Sequence, residues 1–209
     1  MLEIIFITFI IFILALAVIL HECAHGWLAY QLGDPTAKLA GRLTLNPFKH
    51  IDPLGTIIFP GILLILRHFG VGTVVFGWAK PVPVNFSQLR HPKQDMIWVA
   101  IAGPLVNILL AVVFSQILRW TNSLAIGELM KTAVFINLLL AVFNLIPIPP
   151  LDGSRVVMGL LPMRWAQGYS RLENYGMAIV LILLSLGFLG AIILPIVKWA
   201  GALLGVSLG

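Results

Sequence analysis

Seventeen residues, from Ile4 to Leu20, run apolar with Thr8 as the one polar interruption, and the run leads without a break into His21-Glu22-Cys23-Ala24-His25. A stretch of this length belongs either to a membrane span or to the centre of a large core. Composition decides between them. Hydrophobic residues make up 60% of the 209 and charged residues 10%, against about 45–50% and about 25% in ordinary soluble domains. Such a chain cannot cover itself with polar surface, so much of its solvent is lipid. A cleaved signal peptide expects a basic start and a small-residue cleavage site. This amino end has Glu3 and no Lys or Arg before the run, which predicts a retained helix.

Along the chain, the pattern predicts an all-α polytopic membrane bundle. Residues 1–209 read as one membrane-embedded domain of about four to six spans, with a re-entrant hairpin and a small β element on the cytosolic side. The first span is expected over about 3–30, ended by Gly33, Asp34 and Pro35. Alternation in AKLAGRLTL suggests a small hairpin or edge strands within 36–53. Residues 54–75 are apolar but interrupted at Pro60-Gly61 and Arg67-His68, as in a broken or re-entrant helix. A Pro-rich loop over 76–95 precedes apolar helices at about 96–119 and 130–148. A polar segment to about 172 and a tail that divides into two segments complete the chain.

The net charge of +5 comes from basic residues scattered through loops, which argues for topology signals and against nucleic-acid binding. Lys38, Arg42, Lys49, Lys80, Arg90, Lys93, Arg155, Arg164 and Arg171 gather on one side only if 54–75 enters and leaves there. That arrangement puts the amino terminus outside and loops 31–53, 76–95 and 151–172 in the cytosol. The single Cys23 excludes an internal disulfide.

The sharpest chemical signal is HECAH. On a helix, positions i and i+4 share a face, so His21 and His25 can reach one metal ion. Glu22 beside them can take a proton from a metal-activated water and pass it to a leaving amine. Chance supplies about 0.005 such pentapeptides in a chain with this many His and acidic residues, so a zinc site outweighs two interfacial histidines beside a snorkelling acid. Catalytic zinc typically takes three protein ligands. The acids left to choose from are Glu3, Asp34, Asp52, Asp95, Glu128, Asp152 and Glu173. Asp152 stands out in Leu151-Asp152-Gly153, after an apolar helix, where Gly153 permits a sharp turn. The residues alone leave two readings open for it: a metal ligand, or a helix cap bonded to backbone amides.

HECAH at the end of a span, AGPLVN at 102–107 and NLIPIPPLDG at 144–153 together resemble the site-2 protease family, the M50 intramembrane zinc metalloproteases. The resemblance implies one zinc ion per chain, held by His21, His25 and Asp152, with Glu22 as base and Asn144 assisting substrate or transition-state binding. NPFKHIDP at 46–53 and FGWAKPVPVN at 76–85 resemble its compact prokaryotic branch, which lacks a PDZ insertion. The implied location is the cell membrane, with the active site near the cytosolic face. The implied substrates are transmembrane segments of single-pass proteins. A helical peptide bond is shielded, so such a substrate must unwind, by strand addition to the 36–53 or 76–85 backbone.

Two rivals predict other features. A divalent-metal transporter expects polar residues along several spans, and the helices at 96–119 and 130–148 have few. An inactive scaffold has no use for the base at Glu22. Gly103 and Pro104 read first as allowing close helix approach, with Asn107 bonding across the bundle, and direct catalysis is the second reading. His50 and Asp52 read either as partners orienting a ligand histidine or as a solvated loop pair. Cys23 reads as packing, and His68 and His91 receive no role. Substrate identity and oligomeric state leave no trace in the residues.

Overall fold

The computed structural model describes residues 2–70 and 77–208. Every regular element among them is helical. Helix α1, Leu2–Gln31, is apolar nearly all round, and its exposed face includes Ile4, Ile7 and Ile11. An all-round apolar helix with such a face needs lipid rather than water beside it. Helices α4, Pro92–Trp120, and α5, Leu124–Asn144, pack against α1 and against each other. By length and composition, these three can each cross a membrane.

The tail forms α8, Glu173–Ser185, and α9, Phe188–Leu203, bent by 77° at the break between them. Gly187 occupies that break at φ 72°, a left-handed conformation that glycine adopts at little cost. If the bent pair is one span, the candidate spans number four. The main core lies between α4, α5 and this pair, around Val134, Leu138, Leu189, Ile193 and Val197. Arg119, at the end of α4, donates to Leu204 O at 3.1 Å and ties that end to the close of α9.

The expected β element is absent among the described residues. Instead, α2, Thr36–Leu39, is followed by turns and a short 3-10 stretch at Pro47–Lys49. Residues 77–85 are extended, yet no strand pairs with them. Lys80 N donates to His50 O at 2.9 Å and Trp78 N to Gly55 O at 3.1 Å. Further ties come from side chains: Arg42 donates to Lys80 O and Pro81 O, and Asn85 N donates to Asp34. Pro81 and Pro83 have no N–H, and an ordinary ladder cannot run through them.

Pro60-Gly61 is not a break either. A π-helical stretch, Pro53–Ile58, runs into α3, Phe59–His68, and Pro60 occupies the first turn of α3, where a missing N–H costs little. The combined helix Pro53–His68 is shorter than the spans. The return of the expected re-entrant hairpin, including Gly72 and the Phe76 that opens FGWAKPVPVN, lies outside the described residues. The segment read as a polar loop to about 172 holds α6, Asp152–Leu160, and α7, Met163–Ser170. Helix α6 packs beside α4, and α7 packs against α6.

Candidate metal centre

Helix α1 presents His21 and His25 on one buried face, one turn apart. Asp152 begins α6 and reaches the same point. Asp152 Oδ2 lies 3.1 Å from His21 Nε2 and 3.3 Å from His25 Nε2, and the two Nε2 atoms are 3.0 Å apart. A tetrahedral zinc with ligand distances of about 2.0–2.2 Å sets its donor atoms about 3.3–3.6 Å apart. The observed triangle is at that size or slightly tighter.

The chemistry of the three atoms points the same way. His25 Nδ1 is 2.6 Å from Val99 O, which can only accept, so Nδ1 carries the proton and Nε2 offers a lone pair. His21 Nδ1 is 2.6 Å from Asn107 Oδ1 and is arranged alike. Asp152 Oδ2 is buried and has no hydrogen-bond partner among the described residues. Three acceptor atoms facing one point repel unless a cation lies among them. The residues present therefore fit a zinc ion.

The cap reading of Asp152 finds no bond in its favour, since α6 has no side-chain cap. Asp52, the other acid considered near the motif, is a cap: it accepts from Leu54 N and Gly55 N, each at 2.9 Å. His50 donates from Nε2 to Thr44 O at 2.8 Å. His50 and Asp52 thus serve their own loop, so of the two readings left open for them the loop pair fits, with His50 buried rather than solvated. Cys23 faces away, with Sγ 3.3 Å from Thr44 O.

Glu22 lines the cavity beside the triangle, and its Oε2 accepts from Val82 N at 2.7 Å. In Pro81-Val82-Pro83 only Val82 has an N–H to give, and Glu22 takes it. Asn144, at the end of α5, lines the same cavity and donates from Nδ2 to Leu140 O at 3.0 Å. The cavity has a volume of about 490 Å³ and is walled by α1, the extended segment, α4, α5, α6 and α8. Arg155 also lines it, one turn after Asp152, paired with Glu173 and with its guanidinium 5.4 Å from the Phe86 ring centre.

Three contacts of the site have no local signal in the sequence. Val82 and Asn107 touch site residues 60 and 86 positions away, and no local pattern encodes such pairs. The third is Gly103. A Cβ there would lie 2.6 Å from His21 Nε2 and would overlap His25 Nε2. Glycine at 103 thus makes room for the imidazole pair as well as for helix packing. Gly153 also differs from expectation: it is helical rather than a sharp turn, and a Cβ there would strike the Leu145–Ile146 backbone. Its small size lets α6 begin against the end of α5, which brings Asp152 to the histidines.

Comparison with known proteins identifies the family. The family model described as peptidase family M50 matches residues 119–187. The Bacillus subtilis protein named "Putative zinc metalloprotease YwhC" is 36% identical over 185 residues, covering 84% of this chain and 79% of that protein. "Putative zinc metalloprotease Rip2" of Mycolicibacterium smegmatis is 29% identical, covering 90% and 71%. "Zinc metalloprotease MJ0392" of Methanocaldococcus jannaschii is 32% identical over a shorter stretch, 48% of this chain and 30% of that protein. No solved structure matches the chain. A relative of that identity, aligned over most of both sequences, places the chain in peptidase family M50, among the zinc metalloproteases of the site-2 protease type.

Proposed function

We propose that this chain is an intramembrane zinc endopeptidase that cleaves single-pass membrane proteins within or near their transmembrane segments. The observation that carries the reading is the convergence of three lone pairs, from His21, His25 and Asp152, beside the Glu22 carboxylate in one cavity. One zinc ion held there supplies Lewis acidity to the scissile carbonyl and makes a water molecule more acidic. Glu22 takes the proton from that water and delivers it to the leaving amine. The bond from Val82 N holds one carboxylate oxygen of Glu22 and leaves the other for the proton. Asn144 has an amide on the same cavity wall and binds the substrate backbone.

The depth of the site supports chemistry inside the membrane profile. The seventeen residues before His21 rise about 26 Å as a helix, most of a hydrocarbon core about 30 Å thick. The metal then lies a few ångströms within one edge. The distribution of basic residues makes that edge cytosolic and the protein multi-pass in the cell membrane. Of the two stretches considered for strand addition, 77–85 is extended and lines the cavity through Trp78, Ala79, Pro81, Val82 and Val84. An unwound substrate segment packs along its side chains, since Pro81 and Pro83 deny it a continuous hydrogen-bond ladder.

The test pairs two variants in detergent, with zinc content and cleavage of a model transmembrane substrate measured together. Glu22→Gln is expected to keep zinc and lose about 10²–10⁴-fold in cleavage, whereas His21→Ala loses both. Turnover by Glu22→Gln at the wild-type rate defeats the role given to Glu22.

A further inference from the structure

Two asparagines sit in the middle of the helices, each fully buried: Asn107 on α4 and Asn137 on α5. Neither belongs to the metal triangle or lines the cavity. An unpaired amide is strongly disfavoured where water is absent, so their bonds decide which way each amide faces. Ala133 O can only accept, and Asn137 donates to it from Nδ2 at 2.9 Å. Asn137 Oδ1 is thereby turned toward Asn107. Asn107 Nδ2 donates to that oxygen at 3.2 Å and to Ala17 O at 3.3 Å. Both partners are acceptors, and Asn107 Oδ1 is left for the one remaining contact, His21 Nδ1 at 2.6 Å. An amide oxygen accepts only, so the proton of His21 stays on Nδ1.

We propose that Asn137 and Asn107 form a relay that fixes the tautomer and ring orientation of His21, so that its Nε2 lone pair is always presented to the metal. Both are positioning residues. The inference rests on His21 being a metal ligand and goes beyond it, since it assigns roles to two residues on other helices. The two histidines are controlled in different ways. His25 is oriented by a backbone carbonyl, Val99 O, which no side-chain change removes. His21 depends on an amide that could present either end, and Asn137 with Ala17 O excludes the wrong end. The relay runs through α5, α4 and α1, and it therefore couples the register of three helices to the affinity of the metal site.

Simple packing glue makes a different forecast from a relay, and Asn107→Asp separates them. The carboxylate still accepts from His21 Nδ1 but can no longer donate to Ala17 O or Asn137 Oδ1. Outer partners of ligand histidines are worth about 10–100-fold in metal affinity. The experiment measures zinc affinity of the full chain in detergent by chelator competition, the visible absorption of the cobalt-substituted protein, and the melting of the metal-free protein.

Asn107→Leu is expected to weaken zinc by about 10–100-fold and to shift the cobalt spectrum. Asn107→Asp is expected to keep zinc affinity and spectrum near wild type while melting earlier. Asn137→Leu should lose less affinity than Asn107→Leu, because Ala17 O still holds the amide. Wild-type affinity and spectrum in Asn107→Leu, or loss of zinc in Asn107→Asp as complete as in His21→Ala, overturns the relay. His21→Ala serves as the control. If it retains zinc, the metal-site reading itself fails; if it loses zinc while Asn107→Leu does not, only the relay fails.

Discussion

The two walls of the cavity are built by different means. On the metal side, His21, His25 and Asp152 come from helices, and the histidines are buried. Their partners, Val99 and Asn107, lie on a third helix that packs along α1. On the opposite side, Glu22 leans on an extended segment with no strand partner among the described residues, tied by one bond each to His50, Gly55, Thr56 and Asp34 and by two to Arg42. Helix packing places atoms rigidly because many contacts share the task. A segment held by a few isolated bonds opens more readily. Metal geometry is thus assigned to the rigid wall. Glu22 stands on α1 with the histidines, but the bond that holds its carboxylate comes from the wall that can adjust, and on the proposed reading so does the surface that meets the substrate backbone.

The largest effect expected from this contrast is on the rigid wall. Gly103→Ala places a methyl group against both imidazole Nε2 atoms, and neither a helix backbone nor a paired histidine can yield. Zinc binding and cleavage should both fall to the level of His21→Ala, measured as metal content after dialysis and as substrate turnover. Full zinc occupancy in Gly103→Ala would show that the metal wall is as adaptable as the other.

A smaller and more selective effect is expected on the adjustable wall. Val82→Pro removes the one amide hydrogen that Glu22 accepts. Hydrogen bonds to charged groups are worth about 1.5–3 kcal/mol, or roughly 10–100-fold in rate. The turnover number should drop within that range while zinc content stays at wild type. If Val82→Pro loses zinc as well, the two walls are one mechanical unit and the contrast collapses.

The same contrast explains what the sequence made legible. Helices α1, α4 and α5 were readable because a span must be long and apolar, a requirement written into consecutive residues. The HECAH pair was readable because helical spacing alone puts His21 and His25 on one face. The extended wall misled: alternation in AKLAGRLTL suggested strands, but Pro81 and Pro83 across from it deny the amides a ladder needs. Helices α6 and α7 read as loop in the sequence because they are short and carry Arg155 and Arg164. Gly103 and Asn107 stand out in AGPLVN, but that they and Val82 act on His21, His25 and Glu22 is not legible, since each partner lies at least 60 positions away.

The central claim is that one zinc ion is held by His21, His25 and Asp152, and X-ray absorption at the zinc edge of the loaded, full-length protein tests it most directly. The account predicts one zinc per chain in a shell of nitrogen and oxygen at about 2.0–2.2 Å, with scattering from two imidazole rings. A shell containing sulfur from Cys23, a shell with fewer than two imidazoles, or a chain that retains no zinc at all would contradict it.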